Sequence, residues 1–254
     1  MKTLSFVIPV YNEENRIGKT LKALMGGVSF SGLKLEKVIF VDDGSKDNTE
    51  FKIQSLKLKI ERRLKTRIKI ISYKKNRGKG YAIKKGMLAS KSDYTLMFDA
   101  DMSTSITELK KFLPFMKKEV DVIIGTRKNG QSTVTKHQPL YRELLGRGFT
   151  LLSNIILNTW VTDFTCGFKA FSKGARDRIF NYAIIDRWSY DAEIIYLAKK
   201  MNFSIQEKAV TWKNDPRTKV DLMKDLPETL ADLIKIRLHD YNLLISFSKE
   251  PALI

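Results

Sequence analysis

The sequence predicts an α/β fold: a mostly parallel sheet with helices covering both faces. Three observations predict it. Short apolar runs of strand length alternate with stretches of helical periodicity through the first half of the chain. That alternation is the signature of a parallel sheet buried on both sides. The runs also end in polar clusters, Tyr11-Asn12-Glu13, Asp42-Asp43 and Asp99 with Asp101. In such sheets the ligand sits beyond the carboxyl ends of the strands. Residues far apart in sequence are therefore expected along one edge.

The elements follow in order. Leu4–Val10 (LSFVIPV) reads as a first strand, and Met1 to Tyr11 lacks the cleavage pattern of a leader. Ile17, Leu21, Leu24 and Met25 fall at i, i+4, i+7 and i+8, one face of a helix. Lys37–Val41 (KVIFV) is a second strand that stops at Asp42-Asp43-Gly44-Ser45, and a basic helix runs from Asp47 to Leu64. Arg67–Ser72 is a third strand and Lys79–Ala89 a third helix. Tyr94–Phe98 is a fourth strand, ending at Asp99-Ala100-Asp101. Ile106, Leu109, Leu113 and Met116 mark a fourth helix with a kink expected at Pro114. Asp121–Gly125 (DVIIG) is a fifth strand.

The second half is less regular. Leu144–Trp160 is rich in large apolar residues, with Arg147 its single charge. Two readings stay open, a buried helix and a helix lying on a membrane. Asp191–Met201 reads as a helix with Ile194, Leu197, Ala198 and Met201 on one face, and the tail from Asp225 to Ile254 as helical before fraying. Two units are expected: a main domain over 1–220 and a helical tail over 221–254.

With 254 residues, 43% of them hydrophobic, the chain can bury a substantial core. The net charge of +18 favours polyanions: nucleic acid, nucleotide phosphates or anionic lipid. From Lys57 to Lys91 there is one acid, Glu61. The basic residues are not interleaved with aromatics as in stacking platforms, so no nucleic-acid partner is expected. A single cysteine, Cys166, allows no internal disulfide and suits a reducing, cytoplasmic setting. No apolar stretch reaches the roughly 20 residues of a membrane-spanning helix. Attachment to a membrane is therefore expected to be peripheral, through basic residues at anionic headgroups and the 144–160 segment, or through a membrane-embedded partner.

The central chemical signal is Asp99-Ala100-Asp101. Two carboxylates one residue apart, just past an apolar strand, can both reach one hard divalent cation, Mg2+ or Mn2+. Asp42 and Asp43 also follow a strand; helix capping and hydrogen bonding to a nucleotide are both open to them. Asn76-Arg77-Gly78-Lys79-Gly80 precedes a helix, whose N-terminus favours anions, and Lys79 adds a point charge.

The segments VIPVYNEE (7–14), VDDGSKDNT (41–49), NRGKGYAIKKG (76–86), FDADMST (98–104) and GTR (125–127) resemble family 2 glycosyltransferases, whose fold is the Rossmann-like GT-A. DFTCGFKAF (163–171) and RWSYDAEII (187–195) resemble the branch that makes dolichyl- or polyprenyl-phosphate sugars, the glucosyl enzymes foremost and the mannosyl enzymes next. The resemblance implies a metal-dependent hexosyltransferase using a nucleotide diphosphate sugar, UDP-glucose before GDP-mannose. It implies that Pro9, Tyr11, Asn12, Glu13, Asp42, Asp43, Lys79 and Asp99 serve the nucleotide sugar, with Asp99 and Asp101 on the metal. Arg127, Arg142 and Arg147 are candidates for the acceptor phosphate, as are Arg217 and Lys219 of a basic loop. Ser103 stands where mannosyl relatives often carry Gln.

A lipid phosphate is ionised at neutral pH and attacks without a general base, so alignment and charge stabilisation are the enzyme's tasks. His137 and His239 lie outside the motifs, consistent with that expectation. Asp101 and Asp191 are the catalytic candidates. A saccharide or protein acceptor would instead need a base, for which Asp191 or Glu193 is available. A nucleotidyltransferase is a further alternative.

Overall fold

The computed structural model describes residues 1–27, 30–128, 130–217 and 222–241. The strands are β1 (Lys2–Val10), β2 (Leu33–Asp42), β3 (Arg67–Ser72), β4 (Tyr94–Met97), β5 (Val122–Thr126), β6 (Thr133–Lys136), β7 (Lys169–Ser172), β8 (Ile205–Ala209) and β9 (Thr211–Lys213). The helices are α1 (Ile17–Met25), α2 (Thr49–Leu64), α3 (Lys79–Leu88), α4 (Leu113–Lys117), α5 (Leu140–Leu157), α6 (Lys173–Tyr182), α7 (Tyr190–Lys200) and α8 (Leu222–Leu238), with a 3-10 turn over Ile106–Lys111 before α4.

Seven strands form one sheet in the order β3-β2-β1-β4-β7-β5-β8. The pairs β2–β3, β1–β2, β1–β4 and β5–β8 are parallel; β7 runs antiparallel to both β4 and β5. The order reverses at β1, where β2 lies on one side and β4 on the other. The sheet is therefore the mostly parallel one expected, with a single reversed strand in its middle.

Alternate residues of the strands feed two cores. Val7, Ile39, Val41 and Met97 face one, with α3, α6 and α7; Phe6, Ile8, Phe40 and Leu96 face the other, with α1, α2 and the 3-10 turn. Both sides being apolar explains why the strands read as continuous hydrophobic runs.

Three elements depart from the sequence reading. The fourth helix is not one kinked helix: a 3-10 turn ends at Lys111, and Pro114 sits in the first turn of α4, where its missing N–H costs nothing. α7 has no single buried face, because Tyr190 to Ala198 are all buried, with α3, α6 and α8 packed around them. α5 is neither wholly buried nor wholly exposed. It packs Thr150, Ser153, Asn154 and Leu157 inward while Leu140, Tyr141, Leu144, Leu151 and Ile155 face out. α8 packs against α5, and its Leu233 and Ile236, together with Tyr241, enter the same core as β1 and α7. The rest of the expected tail, 242–254, lies outside the described residues. No described helix is long and apolar enough to cross a membrane.

Candidate active site

Above the carboxyl edge of the sheet lies a cavity of about 820 Å3. Pro9, Tyr11 and Glu13 reach it from the end of β1, Asp99 and Asp101 from the end of β4, and Arg127 from the end of β5. Because β7 is reversed, the segment that leads into it, Asp163 to Phe168, arrives at the same edge. Lys79 comes from the first turn of α3, Asp191 from the first turn of α7, and Arg142 and Arg147 from α5.

Asp99 and Asp101 form the acidic centre. Lys79 Nζ lies 2.6 Å from Asp99 Oδ1, and Asp101 Oδ1 accepts from the Ser103 N–H at 2.8 Å. Burial and the charge of Asp99 raise the pKa of Asp101. Burial acts the same way on Asp99, but Lys79, Lys169 and Arg127 outweigh it and hold its carboxyl below the usual range. Lys79 answers in kind: burial works against its charge, yet Asp99, Asp191 and Asp101 raise its pKa. The seat of Asp99 is tight. A Cβ on Gly167 would stand 2.3 Å from Asp99 Oδ2, so any larger residue there forces this carboxylate to shift.

Among the described residues, no three His, Cys, Asp or Glu side chains gather into a closed metal cage. The Asp99–Asp101 pair fits a cation of another habit. Mg2+ or Mn2+ is commonly held by one or two carboxylates, with phosphates and water completing the shell. Two hard anionic donors at the cavity wall, near enough that the charge of Asp99 raises the pKa of Asp101, meet that requirement.

The acidic turn after β2 divides its labour. Asp43 does not cap α2. Its carboxylate accepts from the N–H groups of Arg77 (2.8 Å) and Gly78 (2.9 Å) and from Asn76 Nδ2 (2.8 Å), which fixes the glycine-containing turn before α3. The glycines of that turn serve close packing within the chain. At Gly78 (φ +112°) a Cβ would meet the Asp186 carbonyl at 2.4 Å, and at Gly80 the Ile185 carbonyl at 2.5 Å. Asp42 was expected to line the nucleotide pocket, but it is buried beside it, where its Oδ1 accepts from the Ser45 N–H at 2.9 Å. Asn12 is likewise off the cavity wall: its Oδ1 accepts from the Lys46 N–H, joining the turns after β1 and β2.

The basic candidates separate into engaged and open groups. Arg127 makes a two-pronged pair with the fully buried Asp163, Nε to Oδ2 at 2.7 Å and a terminal nitrogen to Oδ1 at 2.9 Å, and lies over the Trp212 ring. Arg142 lies at the cavity wall beside Tyr141, and Arg147 is exposed there. Arg217 is not part of the wall. It pairs with Asp215 and donates to the Asn15 carbonyl at 3.0 Å, clasping the strap after β9 to the start of α1. Lys219 lies outside the described residues.

Glu193, an alternative base, is turned away from the cavity. Its carboxylate accepts from the N–H groups of Ile184 (2.7 Å) and Ile185 (2.9 Å) and from the Tyr241 hydroxyl (2.6 Å). Asp191 does line the cavity; burial raises its pKa, and it is ion-paired with Lys169.

Sequence reasoning passed over several residues of the wall. Arg16 forms a two-pronged pair with Glu13, visible in hindsight as opposite charges at i and i+3. Lys128 donates to Gly146 O and Thr150 Oγ1, both at 2.8 Å, tying the end of β5 to α5. Trp188 and Trp212 also line the cavity, and no spacing marks either of them.

The chain is similar to known proteins in sequence and in fold. The family model for "Glycosyl transferase family 2" matches residues 5–180. A "dolichyl-phosphate beta-glucosyltransferase" of Dictyostelium discoideum is 33% identical over 243 residues, covering 92% of this chain and 73% of the relative. The crystal structure of S. aureus TarS 1–349 superposes with a TM-score of 0.60 at 18% identity, over 93% of this chain; the chain spans less than two thirds, 64%, of that one. Glucosyl-3-phosphoglycerate synthase from Mycobacterium tuberculosis, solved with Mn2+, UDP and glucosyl-3-phosphoglycerate, superposes with a TM-score of 0.58 at 19% identity, over 93% of this chain and 79% of its own. At these identities the two structures establish the shared fold.

Proposed function

This chain belongs to glycosyl transferase family 2, and from that premise we propose that it transfers glucose from UDP-glucose to the phosphate of dolichol or a related polyprenol. The observation that carries the reading is the make-up of one cavity. Its wall carries Asp99, Asp101 and Lys79 from β4 and α3, together with Arg142 and Arg147 from α5, a helix whose outer face is apolar.

A divalent cation bound to Asp99 and Asp101 would supply positive charge against the departing diphosphate. The chain's own residues do the rest. Pro9, Tyr11 and Glu13 border the nucleotide end, and Arg16 holds the Glu13 carboxylate in one rotamer. Lys79 is within reach of the same phosphates as the acidic pair. Arg142 and Arg147 meet the acceptor phosphate, whose oxygen attacks the anomeric carbon as the bond to UDP breaks. Attack from the far side inverts the centre, so an α-linked donor gives a β-linked lipid. The phosphate is already ionised, so no proton need be removed. This agrees with the engagement of Asp191 by Lys169 and of Glu193 by backbone N–H groups.

The acceptor is a lipid, and α5 offers it an approach. Its outward residues Leu144, Leu151 and Ile155 lie on one face, with Leu144 60% and Leu151 59% exposed. Leu226, Ile234 and Leu238 of α8 are also exposed. Such a face, beside basic residues, is suited to lie in the headgroup region of an anionic membrane. Both the membrane and the nucleotide would then be reached from one side of the molecule.

The test is a product assay. The protein is incubated with UDP-glucose or GDP-mannose, dolichyl phosphate or a saccharide acceptor, and Mg2+ or Mn2+, and products are identified by mass. Glucosyl phosphodolichol from UDP-glucose is expected. Sugar transfer to the saccharide alone, or from GDP-mannose alone, overturns the reading.

A further inference from the structure

Lys169 is a lysine with no exposure to solvent, the first residue of β7, in the apolar run Phe168-Lys169-Ala170-Phe171. A buried ammonium is costly unless every proton finds an acceptor. Here each one does. Nζ donates to the Phe164 carbonyl at 2.8 Å, to the Cys166 carbonyl at 2.6 Å and to Asp191 Oδ1. Two of these acceptors belong to the segment leading into β7, and the third belongs to α7. One side chain therefore ties the segment leading into β7 to α7.

The tied segment forms an arch against the acidic centre. Gly167, between the two carbonyls that Lys169 holds, is the residue against which the Asp99 carboxylate rests. The far end of the arch is fastened to β5, since the Gly125 N–H donates to the Phe168 carbonyl at 2.8 Å. Its near end carries Asp163, which fixes Arg127. Lys169 does not itself line the cavity, whereas Asp191, Gly167 and Asp99 do.

We propose that Lys169 is a positioning residue for sugar transfer: it holds the 164–168 arch and the Asp191 carboxylate in one arrangement, so that Asp191 and Asp99 face the same substrate. The inference rests on the glycosyltransferase reading for its kinetic consequence, though not for its structural one. A hydrophobic side chain of similar length would fill the space yet leave the two carbonyls and the carboxylate without a shared partner. The arch and Asp191 would then move independently. A misplacement of about 1 Å at a reacting centre is enough to cost about 10²-fold in rate.

The experiment uses the full chain and two readouts. The first is kinetic: K169M, K169R, D191N and K169M/D191N are compared in glucosyl transfer. K169M is expected to lower kcat by about 10²-fold, with KM for UDP-glucose nearly unchanged, and K169R to recover part of the loss. In the D191N background K169M should cost less than about threefold more, because the lysine acts through that carboxylate. The second readout is independent of catalysis. Cys166 is the sole cysteine, it is buried, and burial pushes its thiol up to about 11. Its labelling by an aromatic disulfide therefore reports opening of the arch. K169M should raise that rate by about tenfold or more at a temperature where its far-UV circular dichroism matches the parent. If K169M does not fold, K169M/D191N, which removes both buried charges, carries the labelling comparison. Unchanged labelling, full multiplication of the two kinetic losses, or a loss confined to KM overturns the proposal. Should the parent protein fail to glucosylate dolichyl phosphate, the function falls, and the labelling arm still decides the fate of the arch.

Discussion

Lys79 Nζ lies 2.6 Å from Asp99 Oδ1, so the first residue of α3 and the first carboxylate past β4 are already paired across the cavity. The pair sets the charge state of the centre. Without the lysine, Asp99 and Asp101 face each other with less compensation, and a departing diphosphate loses a cation. K79M is expected to lower kcat by about 10²–10³, the loss typical of removing one charge-stabilising donor. Steady-state kinetics with saturating UDP-glucose measure it, and turnover within tenfold of the parent would contradict the role.

Gly167 gives a sharper steric test. The methyl group of G167A would stand 2.3 Å from Asp99 Oδ2, so the carboxylate must leave its seat. The expected result is a fall in kcat of about tenfold or more and weaker stimulation by Mn2+, with secondary structure intact. A Mn2+ titration of activity beside a circular dichroism spectrum checks both halves.

Arg142 separates the two substrates. R142A is expected to raise KM for dolichyl phosphate by about tenfold, the value of roughly one charge-assisted hydrogen bond, while KM for UDP-glucose stays near the parent's. Equal effects on both substrates would remove Arg142 from the acceptor end.

The Arg127–Asp163 pair predicts a pH dependence of stability. Burial alone would raise the Asp163 pKa, but Arg127 and Lys128 outweigh it and hold the group well below its ordinary 3.8. The folded chain thus keeps this carboxylate ionised where the unfolded chain takes up a proton. The stabilisation is complete above the ordinary carboxylate range and is lost as pH falls through and below it. D163N removes the charge partner of the part-buried Arg127 guanidinium, which keeps its bond to Thr165 Oγ1, at a cost of about 2–3 kcal/mol near neutrality. Urea midpoints between about pH 6 and pH 3 should show a shallower acid slope for D163N than for the parent.

The outer face of α5 is tested without touching the centre. L144S, L151S and I155S combined remove three exposed apolar side chains. Each buried methylene is worth about 0.8 kcal/mol in lipid, so co-sedimentation with anionic vesicles should fall by 10²-fold, roughly, or more. Transfer to a short-chain, water-soluble polyprenyl phosphate should continue at the parent's rate. Undiminished sedimentation would reject α5 as the contact.

How much of this was legible in the sequence depends on which forces write the pattern. Burial on both faces writes continuous apolar runs, so β1, β4 and β5 and the acidic ends of β2 and β4 could be read directly, while β3, at the sheet edge, was legible from its isoleucines though few of its residues are buried. β2 begins earlier than read, at Leu33, because Leu33 to Lys37 alternates between half-buried and exposed residues before the fully buried stretch. β7 is only four residues long, and nothing local encodes that it would insert backwards between β4 and β5. Within the site, carboxylates next to strand ends stood out, but their partners did not. Asp43 reaches residues 76–78, and Arg127 reaches Asp163, across separations that no local spacing signals. Lys169 did leave a trace, a charge inside an apolar strand, but its meaning came only with the three acceptors around it.

The reversed strand also bears on how the molecule is made. With β7 lodged between β4 and β5, and β8 beyond β5, the middle of the sheet stays open until late in the chain's length. The nucleotide end, built from β1, β2, β4 and α3, can form early; the wall carrying Asp163, Gly167 and Asp191 cannot. A chain emerging from the ribosome should therefore leave the facing edges of β4 and β5 unpaired until β7, which begins at Lys169, has been made, a nonlocal closure that favours slow completion and help from chaperones.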